Sequence, residues 1–163
     1  MKQRASWLFA VSLVIVDALM TGLAFAGAYV LRLQSAYENI APFSNYWGMS
    51  LIHVATIILV FFSYRLYHRQ RAQSHIDQFY SVFGATSVGT IVAIAFISLI
   101  FKNELDYPRL MMVYTWVLTI LLVSLGRILH ARLQWGLQAR GYNETRLLIV
   151  GAGDVGRMIC LLY

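Results

Sequence analysis

The chain has 163 residues, 60% of them hydrophobic and only 12% charged, with a mean hydropathy of +0.65, which excludes an ordinary water-soluble domain of this size. A formal charge of +6 would suit nucleic acid in a soluble chain, but with so much apolar surface the expected acidic partner is the face of a lipid bilayer, and no nucleic acid is expected. Cys160 is the only cysteine, so no disulfide can form within the chain.

Four apolar stretches follow one another, from about Ser6 to Leu31, Tyr46 to Tyr64, Phe79 to Phe101 and Leu110 to Leu125. Each is close to the roughly 20 residues that a helix needs to cross about 30 Å of hydrocarbon. They are too long for strands and lack period-two alternation. In the first, "MKQR" and the "AFA" at Ala24 to Ala26 also fit a cleaved signal, but Asp17 interrupts its apolar region and the hydrophobic run continues past the cut.

With the amino terminus inside the cell, the inner segments hold Lys2, Arg4, Arg65, Arg69, Arg71, Arg127, Arg132, Arg140, Arg146 and Arg157, against Arg32, Lys102 and Arg109 outside. This asymmetry orients the chain with both termini cytoplasmic. Arg65, Arg69 and Arg71 on one loop, with Arg127 and Arg132 after the fourth span, are then a cationic layer at the lipid headgroups. They serve as topological anchors or as a pocket for a lipid phosphate.

Asp17 sits deep in the first span, where a carboxylate costs about 2.5–3.5 kcal/mol on the insertion scale and needs a partner or a proton. Counted from the same end of their spans, Asp17 and His53 lie at similar depth, so a hydrogen-bonded Asp17–His53 pair is geometrically possible, as a clasp between helices or as a proton-handling pair; the alternative is a protonated Asp17 bonded to a nearby serine or threonine. Small residues recur every fourth position at Ala18, Gly22 and Ala26 and at Ser81, Ala85, Gly89 and Ala93. Such ridges let helices approach closely, either within the chain or in a homodimer. "TSVGT" at Thr86 to Thr90 looks like a channel selectivity filter, but Ile91 stands where a second glycine is needed and the run is uninterrupted.

From Ile128 to Arg140, leucines four apart alternate with arginines, the pattern of a helix lying along the membrane surface. "RLLIV" then reads as a buried strand, followed at once by Gly151, Gly153 and Gly156 in GxGxxG spacing. The glycines permit the tight turn, the approach of a pyrophosphate and helix–strand packing, so this is the candidate cofactor-binding loop; which nucleotide it takes, if any, is open. The expected organisation is a transmembrane domain over residues 1–127, a basic amphipathic connector over 128–145 and the truncated start of a Rossmann-like domain over 146–163. The fold class is an all-α membrane protein: a four-helix transmembrane bundle followed by the first β-strand and helix of an α/β domain.

In this order, "VDALMTGLAFAGAYVLRL", "YRLYHRQR", "YPRLMMVYTWVLTILLVSLGR" and "LQARGYNETRLLIVGAGDVGR" resemble the amino-terminal membrane region of bacterial polyprenyl glycosylphosphotransferases. The resemblance implies an inner-membrane protein whose parent moves a hexose 1-phosphate from a UDP-sugar to undecaprenyl phosphate, opening exopolysaccharide or capsule synthesis. Magnesium, the UDP-sugar and the polyprenyl phosphate would be held by a later catalytic domain, so this segment is expected to hold no cofactor, catalytic residue or metal ligand. The chain is also similar to membrane-bound nucleotide-sugar 4,6-dehydratases and epimerases, in its four helices and its GAG loop. A third reading is a membrane scaffold with no chemistry of its own.

Overall fold

A computed structural model describes residues 2–34, 41–67, 75–101 and 109–139. It consists of four long helices, α1 (Lys2–Gln34), α2 (Trp47–Ser63, entered through a 3-10 turn at Phe43–Tyr46), α3 (His75–Ile100) and α4 (Arg109–Ala139). No strand occurs among the described residues. The expected strand and helix of residues 146–163 lie outside them.

Every helix contains a stretch long and apolar enough to cross a membrane, at Phe9–Gln34, Phe43–Ser63, Ile76–Ile100 and Leu110–Gln134. The chain is therefore a multi-pass membrane protein. Only 22% to 39% of the span windows is buried within the bundle, and the remainder presents side chains such as Leu19, Leu59, Ile91, Leu99 and Leu121 outward. In hydrocarbon this is the stable arrangement, because helices satisfy their own backbone groups and apolar side chains cost nothing against lipid.

The helices run up and down in alternation. α1 packs most extensively on α4 and α2 on α3. A Cβ on Gly27 would stand 3.3 Å from Leu118, and one on Gly126 would stand 2.9 Å from Met20, so residue numbers rise on α1 as they fall on α4. Gly89 against Ile57 and Gly48 against Phe101 give the same antiparallel register between α2 and α3.

Two apolar clusters occupy the ends of the bundle. One gathers Phe25, Ala28, Tyr46, Met49, Ile97, Met111 and Met112; the other gathers Ile57, Phe61, Val82, Ala85 and Val123. Between them in chain register, each helix contributes buried polar residues: Thr21 on α1, His53 on α2, Thr86 and Thr90 on α3, Thr115 and Thr119 on α4. Thr21 and Thr115 return their hydroxyl protons to the carbonyls of Asp17 and Met111, each at 2.8 Å, which lets a hydroxyl sit in an apolar interior at small cost.

The fourth apolar run and the helix read from Ile128 onward are one element, since α4 continues unbroken through residues 127 and 128 to Ala139. A glycine inside a helix costs only about 1 kcal/mol, so Gly126 does not stop it. The continuation carries Arg127 inside the span rather than to its edge.

Candidate functional site

The polar centre of the bundle joins α1 to α4. Asp17 lies eight residues in from Phe9 and Arg127 seven residues in from Gln134, which places both about 10–12 Å inside the same end of their spans. Arg127 donates from Nη2 to Asp17 Oδ2 at 2.6 Å and from Nε to Oδ1 at 3.2 Å. The two side chains are 3% and 0% exposed. A carboxylate and a guanidinium meeting edge to edge in this way form a bidentate, charge-assisted pair. Buried alone, either charge would carry an uncompensated desolvation cost.

Local packing holds the pair in place. Gly126, next to the arginine, sits tight against α1: a Cβ there would come within 2.9 Å of a Met20 side-chain atom and 3.1 Å of a Val16 side-chain atom, so its absence brings α4 close to α1. The rings of Phe61 and Tyr67 cover the guanidinium, with centroids 5.0 and 5.7 Å from its carbon, a cation–π geometry. One turn nearer the helix ends, Ser12 Oγ lies 2.8 Å from His130 Nε2 while donating to the Phe9 carbonyl at 3.0 Å.

Tyr67 reaches this site through a reversal at the end of α2. Leu66 N–H donates to Phe61 O and Arg65 N–H to Phe62 O, both at 3.0 Å, the paired bonds of a Schellman cap. Arg65 occupies the left-handed position usually given to glycine, with φ 55°. A residue with a Cβ pays about 1–2 kcal/mol there, and the turn brings the Tyr67 ring against Phe61, 6.5 Å between centroids. Burial, and then the negative charge of Asp17, push the Tyr67 phenol above its ordinary range, so it stays protonated.

The Asp17–His53 pairing read from depth is therefore corrected: the partner of Asp17 is Arg127. His53 is fully buried one layer away, packed against Phe25 with ring centroids 6.1 Å apart. Neither of its ring nitrogens has a hydrogen-bond partner among the described residues. Arg127 likewise leaves the expected headgroup layer for the interior, because a carboxylate in the span holds it more strongly than the interface does. Arg65 and Arg132 are exposed. Arg69, Arg71, Gly151, Gly153 and Gly156 lie outside the described residues.

The two small-residue ridges behave differently. Ala85, Gly89 and Ala93 are buried, and a Cβ on Gly89 would meet Ile57 at 2.8 Å, so this ridge packs α3 on α2. On the first ridge, Gly22 has nothing within 4 Å of where a Cβ would stand.

A lateral groove of about 690 Å³ separates α3 from α4, lined by Ser87, Thr90, Ile91, Ile94, Val113 and Trp116 among others. The Trp116 indole N–H donates to Ser87 Oγ at 3.1 Å across it. Among the described residues, no group of three or more His, Cys, Asp or Glu side chains is placed to hold a metal ion.

No family model matches the chain, and no curated protein and no solved structure is significantly similar to it.

Proposed function

We propose that residues 1–139 act as a membrane anchor and scaffold that presents the segment beyond α4 at the cytoplasmic surface. The observation that carries this reading is the Asp17–Arg127 pair, which closes the first span on the last and fixes the two ends of the anchor side by side. A hydrogen-bonded ion pair inside hydrocarbon makes the α1–α4 register specific in a way that lipid-like side chains cannot. The excess of arginine and lysine on the segments that flank the beginning of α1 and the end of α4 supports a cytoplasmic location for both. A soluble reporter fused after Ala139 should resist carbonate extraction and stay protected from protease in spheroplasts; a reporter that is released, or that faces outward, overturns the reading.

The parent activity we infer from the sequence likeness is that of a bacterial inner-membrane polyprenyl-phosphate hexose-1-phosphate transferase that initiates exopolysaccharide or capsule synthesis. On that inference, Gly151, Gly153 and Gly156 open a Rossmann-like domain. On the same inference, the polyprenyl phosphate, the UDP-sugar and the magnesium ion would be held by the parent's catalytic domain. The unpartnered Gly22 ridge is the face on which a homodimer would pack. Incubating the full gene product with UDP-hexose and undecaprenyl phosphate should release UMP, while residues 1–163 alone release none. Formation of a 4-keto sugar instead would assign the parent to the dehydratases.

A further inference from the structure

The Asp17–Arg127 pair has a crevice beside it that its role as a clasp does not use. This cavity, of about 50 Å³, lies between α3 and α4 and is lined by Gln78, Phe79, Val82, Ser124, Arg127 and Ile128. Its walls start at the span edge and reach far inward. Gln78 is two residues inside the Ile76–Ile100 span and Ser124 ten residues inside the Leu110–Gln134 span, depths of about 3 Å and about 15 Å. Asp17 takes Nε and Nη2 of Arg127, and the Arg127 side chain forms part of the crevice wall. The Ser124 hydroxyl, also on the crevice wall, is buried without a partner among them.

We propose that this crevice is a hydration site, through which water enters between α3 and α4 from the aqueous face at the start of α1 and reaches the buried Ser124 hydroxyl beside Arg127. Three features select water over an additional anion. Asp17 already neutralises the guanidinium, so a second negative charge at this depth would be uncompensated. The volume admits a few water molecules and little more. The unpaired group on the wall is a serine hydroxyl, which both donates and accepts, as a water molecule does, whereas an anion would only accept. Such access also explains how an ion pair is tolerated at this depth, since charges within a span face either a partner or a wet cavity.

The test is thiol accessibility in the full chain with Cys160 replaced by Ser. Ser124→Cys is compared with Leu125→Cys, whose parent residue is half-exposed to lipid, and Val123→Cys, whose parent is fully buried. A thiol must ionise to react and ionises poorly without water, so a small charged methanethiosulfonate should modify Cys at 124 at least about tenfold faster than at 125 or 123. Gln78→Trp, which fills the mouth, should slow the reaction at 124 and leave the other two unchanged. Equal rates at 123, 124 and 125, or a rate at 124 indifferent to Gln78→Trp, overturn the proposal. It rests on the anchor reading for the side of entry, and vesicles of both orientations separate the two: reversed topology appears as fast labelling from the other face, a dry crevice as slow labelling from both.

Discussion

Removing either member of the Asp17–Arg127 pair should cost far more than removing both. The contact has two hydrogen bonds, 2.6 and 3.2 Å, between side chains 0% and 3% exposed. At a charge separation near 4 Å and an effective dielectric of about 20, the attraction is about 4 kcal/mol, and the stranded partner keeps its desolvation penalty. Asp17→Leu and Arg127→Leu should therefore each destabilise the bundle by about 3–5 kcal/mol. The double variant, with two leucines meeting where the ions were, should lose only about 1–2 kcal/mol, since apolar replacement of a buried pair is close to neutral. The coupling between the sites is then several kcal/mol, well beyond the few tenths expected of independent positions. Asp17→Asn should fall between wild type and Asp17→Leu, because it keeps an acceptor for the guanidinium but loses the charge. Reversible unfolding by SDS titration in mixed micelles, followed by far-ultraviolet circular dichroism, measures the wild type and all four variants. Additive losses would refute the reasoning, as would a double variant weaker than either single one.

Three further outcomes follow from the geometry around the pair. Gly89→Val should cost about 1–3 kcal/mol by driving α3 off Ile57, whereas Gly22→Ala, which meets nothing within its own chain, should leave the single bundle neutral or stabilise it by about 0.5–1 kcal/mol; the same unfolding assay, run on monomeric protein, ranks them. Arg65→Gly should relieve the left-handed turn and gain about 1 kcal/mol, and any loss there would mean that the arginine side chain holds the turn in another way. Because burial and the Asp17 charge raise the Tyr67 phenol, that residue keeps its proton as alkali ionises ordinary tyrosines. Ultraviolet titration of wild type and Tyr67→Phe should therefore coincide up to about pH 10, the ordinary tyrosine range.

Much of the bundle was legible in the sequence because hydrocarbon imposes so strong a rule. Long uninterrupted apolar runs have no stable alternative to helices, and four were countable. The ridge at Ala85, Gly89 and Ala93 was also readable, since small residues at fourth positions define a face whatever it meets. What escaped was the identity of Asp17's partner. Depth counting placed His53 opposite it, and the run of arginines after the fourth span assigned Arg127 to the headgroup layer. Hydropathy registers where arginine is costly; it does not register that a carboxylate on another helix removes the cost. The signal was present in "SLGRILH", where a small residue precedes an arginine within a pattern that continues as helix. The turn at Arg65 had no such signal, because glycine is the residue that announces a left-handed cap and this chain uses arginine.

The central claim is that α1 and α4 lie side by side, with Asp17 level with Arg127. A Cβ at Gly126 would stand 3.1 Å from a γ-carbon of Val16, within the reach of a disulfide. With Cys160 replaced, Val16→Cys paired with Gly126→Cys should oxidise within one chain in native membranes, and Leu23→Cys paired with Gly126→Cys should not. Crosslinking of the second pair but not the first would contradict the register from which the site is built.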